Sequence, residues 1–449
     1  MHRWRFRGRL LILSTLTALI LGAQDLTLEQ ALDMALKSNR GIQNSAIEAG
    51  KFDDRKASVK SQFLPSAHVF AIGAQPVAPF DFRINQGTLG TDSLGGPIPD
   101  ANVNLRTPAH PIGLASVNVI QPLSAIPTIR KELGLIDLQK KLVDEQTRLE
   151  RQNLVRDVRQ LYYGIQNVES SLRAARESVR LAQEVVRVTS EYVEKRQVLD
   201  VDYLEAQLHL AKAMESVLDL ENQRASLKAK LNFKLGREVL TDFTVPEIPA
   251  VADGNLPDSL QSPAEVRDRA VAQRPEIRQA GLRIEEAKAE LRIASAGFNP
   301  TIAAQFTAIK ITDVNALLPR QIGIAGVSLT WEPFTWGRKQ HDLAVHRAKV
   351  QQAMNNERDA KSRVEIDVAD QYRRLQLAAA RLHVASLGLQ MATESLRLAK
   401  KQYEVQFTLL KTVLQSQTAL ENANADYQRS LGGLWTARAE YERALGQDQ

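Results

Sequence analysis

The sequence says the same thing twice, in an order that few folds require: a short helical segment, weak strands, then a very long helical hairpin. Under a shift of 235 residues, Ala35, Leu36, Ile42, Phe63 and Pro65 fall on Ala270, Val271, Ile277, Phe298 and Pro300. Under a shift of 210, Val158, Tyr162, Leu172, Ala182, Glu184, Arg187, Leu204, Gln207, Leu235 and Gly236 fall on Val368, Tyr372, Leu382, Ala392, Glu394, Arg397, Leu414, Gln417, Leu445 and Gly446. The shifts differ by 25, which places a longer insert of the first copy between about Gln75 and Pro111. The 449 residues are therefore read as two copies of one elongated unit, not as two or three ordinary domains. The first repeat covers 24–244, a Pro-rich linker 245–262 and the second repeat 263–449.

Residues 1–23 have the form of a secretory signal peptide, and export with cleavage near Ala23 is expected. Arg3, Arg5, Arg7 and Arg9 precede an apolar run from Leu10 to Leu21, closed by the small residues Gly22 and Ala23. That run is short for a transmembrane helix, and no later stretch reaches the roughly 18 consecutive apolar residues a spanning helix needs. Any membrane-crossing part must then be a β-barrel. The formal net charge of +6 includes the four leader arginines, and without them it is about +2, which argues against a nucleic-acid partner. Cysteine is absent, which excludes disulfides, thiolate metal sites and an N-terminal lipidated cysteine.

Helical patterns run from about Leu28 to Leu64 and from about Pro263 to Phe298, each followed by a proline, Pro65 or Pro300, that begins an extended stretch. Four strands are expected, at about 66–74, 113–121, 300–310 and 321–331. In the third, Ile302, Ala304, Phe306 and Ala308 alternate with Thr301, Ala303, Gln305 and Thr307, the period of two for a sheet with lipid on one face and water on the other. In the second, Ala115, Val117 and Val119 alternate with Ser116 and Asn118. The first and fourth alternate poorly and rest on the symmetry of the repeat. The long Gly/Pro/Asn-rich stretch from Pro76 to Pro111 and the shorter one from Asp313 to Pro319 read as extracellular loops. Four strands leave open edges that lipid does not solvate, so several copies must share one barrel.

After each strand pair comes a long helical hairpin, over 124–236 and 336–446. A helix of about 70 residues would rise on the order of 105 Å. Val155, Val158, Tyr162, Ile165, Val168, Leu172, Ala175, Val179, Ala182 and Val186 recur at threes and fours, the spacing of a coiled-coil seam. Leu204, Leu208, Ala211, Met214 and Leu218 continue an apolar seam on the returning helix. Ordinary helix packing explains each of these residues singly. It does not explain a leader, amphipathic strands and two hairpins in one duplicated order.

Those residues resemble the TolC-like outer-membrane efflux protein (outer membrane factor) family over about Leu26 to Gly446. The resemblance is carried by LTLEQALDMALKSN (26–39), QPL (121–123), WEPFTWGRKQ (331–340), YVEKRQVLDVDYLEAQ (192–207) and YEVQFTLLKTVLQSQ (403–417). It implies a mainly α fold with a small β part: antiparallel coiled-coil hairpins forming an α-barrel tunnel, and four strands per chain in a trimeric, twelve-stranded transmembrane β-barrel. It further implies a homotrimer in outer-membrane lipid with a long periplasmic extension, docked onto a periplasmic adaptor and an inner-membrane pump. The chain would be a passive exit duct, without a cofactor. The same duct could serve type I protein secretion. A periplasmic coiled-coil scaffold without a pore is the alternative of another class, and it leaves the strands unexplained.

The resemblance also marks candidate sites. Family tips often carry a tyrosine followed three places later by glycine; here those glycine positions hold Lys195 and Gln406. That departure points to a partner matched to Lys195, Arg196, Gln197, Gln406 and Phe407. Some relatives close the tip with aspartates on the second hairpin, but the matching positions are Thr412 and Gln415. Their repeat mates are Asp202 and Glu205, with Asp200 nearby, so an acidic ring would come from the first hairpin. A solvated helical tip with ordinary surface acids is the competing explanation. Trp331, Phe334 and Trp336 read either as an interfacial aromatic girdle or as packing of a strand-to-helix junction, and Gly337 as relief of crowding between backbones.

Enzymatic chemistry has little to stand on. The sequence lacks a GxxxxGK loop, an HExxH pair and a GxSxG elbow. His341 and His346 are spaced five apart, wrong for two ligands on one helix face, and five methionines make no copper or silver relay. No metal site is expected.

Overall fold

The computed structural model describes residues 25–75, 77–78, 80–107, 111–196, 198–246, 263–312, 320–405 and 407–446. The leader, most of the linker, Gln197 and Gln406 lie outside these residues. Each half of the chain runs helix, helix, strands, long helix, returning helix. In the first half these are α1 (Leu28–Ser38), α2 (Arg40–Ser61), β1 (Ser66–Ala74), β2 (Phe80–Ile84), β3 (Val103–Thr107), β4 (Ile112–Pro122), α3 (Ile126–Glu194) and α4 (Asp200–Leu235). In the second half they are α5 (Pro263–Gln273), α6 (Pro275–Ala296), β5 (Thr301–Thr312), β6 (Gln321–Thr330), α7 (Arg338–Glu404) and α8 (Leu410–Ala444). The pair β2–β3 lies inside the expected loop of the first copy, antiparallel from Phe80 opposite Thr107 to Ile84 opposite Val103. Its short runs, FDFRI and VNLRT, alternate apolar and polar residues over five positions, a strand signal that the reading of this stretch as a loop passed over.

Single residues punctuate the helices. Thr27 and Gln30 form a capping box that starts α1. Asn39 ends α1 in an extended conformation, and its Oδ1 accepts the Gly41 N–H at 2.8 Å, opening α2. Its Nδ2 donates to the Lys234 carbonyl at 2.9 Å, tying this break to the end of α4. Pro275 starts α6 at the position where a missing N–H costs nothing. Gly236 closes α4 at φ +71°, and a Cβ there would sit 2.4 Å from the Ser38 carbonyl oxygen, so only glycine fits.

The chain divides into two compact units, and they do not coincide with the two repeats. The first gathers residues 1–43, 150–270 and 365–449; the second gathers 44–149 and 271–364. Each unit therefore takes corresponding parts of both copies. In the first unit, Leu26, Ala31, Ala35, Leu154, Val158, Tyr162, Ile165, Leu231, Leu235 and Phe243 form one apolar core. Repeat mates are buried alike: Val158 and Val368, Leu172 and Leu382, Ala182 and Ala392, Leu235 and Leu445. The duplication in the sequence is thus largely a duplication of core positions.

The second unit holds an antiparallel sheet in the order β1-β4-β5-β6, with β1 and β6 as open edges. Its register sorts the side chains by face. Ala67, Val119, Phe306 and Ala325 stand in one cross-sheet row, and Val69, Val117, Ala308 and Gly323 in the next on the same side. The opposite face carries the rows Ser66, Ile120, Gln305, Gly326 and His68, Asn118, Thr307, Ile324. One face is apolar through its middle and the other is mixed. The weak alternation of the first and fourth expected strands now has a cause: Phe70 and Ile72 of β1, and Ile322 and Ile324 of β6, are apolar residues on the mixed face.

Candidate functional site

The candidate tip lies in the first unit, where α3 turns into α4 and α7 into α8. Leu396, Ala399 and Val413 form its small buried core, with Leu181, Tyr403 and Leu420 packed against it. Gln417, almost fully buried, donates from Nε2 to the Ser178 carbonyl at 3.3 Å and so joins α8 to α3. His209 on α4 meets Thr418 on α8 at 3.2 Å. The Thr418 hydroxyl donates to the Leu414 carbonyl at 3.0 Å, which leaves its oxygen to accept from His209 Nε2–H.

Asp200, Asp202 and Glu205 occupy the first two turns of α4, where negative charge suits the positive end of the helix. Asp202 also holds the helix start, because its carboxylate accepts the Leu199 N–H at 3.0 Å, one half of a capping box. Glu205 and Asp200 are exposed and make no such bond. Tyr192 of α3 and Tyr403 of α7 face each other with ring centroids 6.5 Å apart. Burial raises the Tyr403 phenol above its ordinary range, and the neighbouring Tyr192 and the Asp202 charge add to the effect. Asp202 is thereby electrostatically linked to the second hairpin. The sequence sets Tyr192 and Tyr403 at the head of the two tip segments, but only the structure shows that their rings meet.

Thr412 and Gln415 are exposed along a groove between α7 and α8 that Met391, Ala392 and Ser395 also line. Among the described residues no hydrogen bond or ion pair joins them to Asp202 or Glu205. Lys195 and Arg196 are exposed in the α3–α4 turn, and Arg196 holds a left-handed φ of +54°. The left-handed residue is therefore one place beyond the family's glycine position. Phe407 is exposed in the other turn, and Val405, Leu409 and Leu199 beside these turns are 72–75% exposed. Sequence reading missed these three aliphatics, since an isolated apolar residue in a turn has no periodic signature.

The β6–α7 junction lies in the second unit. The Trp331 indole donates to the Phe298 carbonyl at 3.3 Å, a junction contact. Phe334 and Trp336 instead project almost wholly into solvent, at 87% and 99% exposure. Trp336 and Gly337 are both left-handed, at φ +49° and +84°. A Cβ on Gly337 would meet only the His341 and Gln340 side chains at ordinary contact distance, so this glycine serves the turn and not the expected approach of backbones. The matching β4–α3 junction is closed differently, with Ser124 Oγ accepting the Ile302 N–H at 2.7 Å.

The protein-family model for the outer membrane efflux protein matches residues 114–237 and 266–447, well over half of the chain. Solved structures share the fold at low identity. The Campylobacter jejuni CmeC outer membrane channel aligns with TM-score 0.74 and 14% identity over 93% of this chain and 85% of its own. The Vibrio cholerae outer membrane protein VceC aligns at 0.71 and 14% over 93% and 96%. The open state of the Neisseria gonorrhoeae MtrE outer membrane channel aligns at 0.69 and 16% over 94% and 90%. A search of curated protein sequences returned no match.

Proposed function

The chain belongs to the outer membrane efflux protein family, whose members are channels and not enzymes, and we propose that it is the exit duct of a tripartite efflux system. Three copies close one twelve-stranded barrel, and substrates expelled by an inner-membrane pump pass through a periplasmic adaptor into the duct. The observation that carries this reading is the sheet β1-β4-β5-β6, whose two outer edges are unpaired and whose one face is apolar through its middle. Such a sheet is not stable in lipid alone, and β6 of one copy against β1 of the next supplies the missing hydrogen bonds with antiparallel sense. The face of Val117, Phe306 and Ala308 then meets lipid, and the face with Asn118, Gln305 and Thr307 lines the lumen.

The helices support the same assembly. Leu377, Val384, Met391 and Leu398 of α7 recur every seven residues and are 50–70% exposed, a coiled-coil seam without its partner in one chain. Val201, Leu204 and Leu208 make a second exposed stripe on α4. Pairing of such stripes around the ring buries both. At the tip, Asp200 and Glu205 are free to form an acidic ring, with Asp202 holding the helix start; Lys195, Arg196 and Phe407 face the adaptor. Phe334 and Trp336 sit at the periplasmic edge of the membrane. The leader delivers the chain across the inner membrane, on its way to the outer membrane.

The test is the mass and planar-bilayer conductance of detergent-extracted protein from an outer-membrane fraction. A trimer with discrete conductance steps is expected. A soluble species without channel activity would leave a helical scaffold as the better account.

A further inference from the structure

Some repeat mates on the two hairpins are not buried alike. Leu414 of α8 is 8% exposed and its mate Leu204 of α4 is 61% exposed; Gln417 is almost fully buried and its mate Gln207 is exposed. The cause is the placement of α8. Its Gln417, Leu420 and Asn424 line one cavity together with Asn167, Ala174, Ser178 and Leu181 of α3, and Gln417 Nε2 donates to the Ser178 carbonyl. The packing is close: a Cβ on Gly432 of α8 would stand 3.6 Å from the Asn167 Cβ. The second hairpin repeats that α3 row on α7. Under the shift of 210, Asn167, Ala174, Ser178 and Leu181 fall on Leu377, Val384, Gly388 and Met391, and all four line the groove between α7 and α8. Leu377, Val384 and Met391 are half or more exposed, so among the described residues none stands over this row as α8 stands over α3.

We propose that α4 of a neighbouring copy fills the α7–α8 groove, in the register that α8 keeps against α3 within the chain. The inference rests on the proposed ring of three copies and names the contact that closes it. The repeat supplies the partner: carried back by 210 residues, Gln417, Leu420 and Asn424 become Gln207, Leu210 and Met214 of α4. Gln207 of one copy then donates to the Gly388 carbonyl of the next, as Gln417 does to that of Ser178. Leu204, Met214 and the exposed α7 stripe leave water together, and the gain grows with the apolar area removed. Charge fits the same placement. Ser171 and Ala425 line the cavity within the chain, while their mates Arg381 and Glu215 are exposed and of opposite sign, which favours this register over a slipped one. The contact joins two different faces, so it runs head to tail and closes as a ring instead of ending at a dimer.

Cysteine is absent from the chain, so paired cysteines read the register without background thiols. The mates of Asn167 and Gly432 are Leu377 and Asn222, and a Cβ separation of 3.6 Å suits a disulfide. Asn222→Cys with Leu377→Cys, oxidised in the detergent-extracted protein, should therefore give covalent trimers. Leu218→Cys with Leu377→Cys should link about tenfold more slowly or less, because one turn of α4 moves the Cβ by about 6 Å, beyond disulfide reach. Asn167→Cys with Gly432→Cys should link within single chains. If the first double variant does not assemble, co-expressed Asn222→Cys and Leu377→Cys single variants should give the same link as a covalent dimer. Absence of the link between copies in a trimer that still conducts, with the link within chains formed, would overturn the placement of α4, give the groove to another occupant and leave the duct standing. A parent protein that is monomeric and does not conduct would overturn the duct reading and this contact with it.

Discussion

The Tyr162 hydroxyl donates a 2.8 Å hydrogen bond to the carbonyl of Leu26, so a side chain in the middle of the first long helix fixes the start of the described chain. The Leu26 N–H in turn donates to the Thr244 carbonyl at 2.8 Å, and the Thr244 hydroxyl to the Asp25 carboxylate at 2.6 Å. The beginning and end of the first repeat are thereby joined over one buried tyrosine. Burial pushes its phenol up to about 12, with the nearby Tyr163 and Asp25 as smaller influences.

Replacing Tyr162 with Phe should destabilise the first unit by about 1–3 kcal/mol, because the Leu26 carbonyl loses its buried partner. In the parent protein the folded state holds the phenol neutral more strongly than the unfolded state does. Its contribution is complete below about pH 10 and is lost as pH rises toward about 12. Thermal unfolding of the parent and of Tyr162→Phe across that alkaline range checks both; equal losses in the two proteins would exclude Tyr162 as the cause.

Asp157 gives the opposite dependence. Burial is the largest single influence and raises its carboxyl, but the hydrogen bonds from Lys234 and Arg156 together outweigh it and hold the group below the usual carboxylate range. A depressed carboxyl stabilises the fold at neutral pH and is lost as pH falls below the ordinary value near 3.8. Asp157→Asn should lower stability at pH 7 by about 2 kcal/mol and flatten the acid limb of the unfolding profile.

At the tip, capping and gating can be separated. Glu205→Gln leaves the Asp202 cap intact, and should raise single-channel conductance or weaken block by divalent cations severalfold if Glu205 belongs to an acidic ring. Asp202→Ala should in addition loosen the start of α4, visible as faster amide exchange near Leu199. Unchanged conductance and block in Glu205→Gln would remove it from the gate.

The register of the sheet makes a sharp comparison. Phe306→Arg places a charge on the apolar face and should cost about 2–4 kcal/mol near the membrane midplane, reducing the yield of assembled trimer. The neighbouring Thr307→Arg points to the other face and should assemble normally. The measurement is trimer recovered from the outer membrane for each variant, and a reversed order would invert the assignment of faces.

Trp336 carries a left-handed backbone that costs on the order of 1–2 kcal/mol for a residue with a side chain. An interfacial indole is a reason to keep it. In a protein whose only remaining tryptophan is Trp336, lipids brominated near the headgroup should quench its emission strongly. A reporter at Trp331, whose indole is held by Phe298, should respond less; no response from Trp336 in an inserted trimer would count against the anchor.

The duplicated order of elements was legible along the chain, because a helix seam and an amphipathic strand both write their period into it. Val158 and Val368, or Leu172 and Leu382, are legible as core since each repeats its neighbour's burial at a fixed spacing. Two strands were also legible by alternation, Ala115–Val119 and Ile302–Ala308, because one side of the first carries Ser116 and Asn118 and one side of the second Gln305 and Thr307. The rest depends on which residues stand opposite one another in the folded chain. Phe70, Ile309 and Ile322 belong to three strands, and no local pattern says that they share a row. Asp202 is a turn acid in sequence and a helix cap in space, while Trp331 and Trp336, five residues apart, part company because one indole finds a carbonyl and the other does not. The division into compact units likewise takes pieces from both copies. Periodicity is a property of neighbours along the chain, whereas register, capping and exposure are set by neighbours across it.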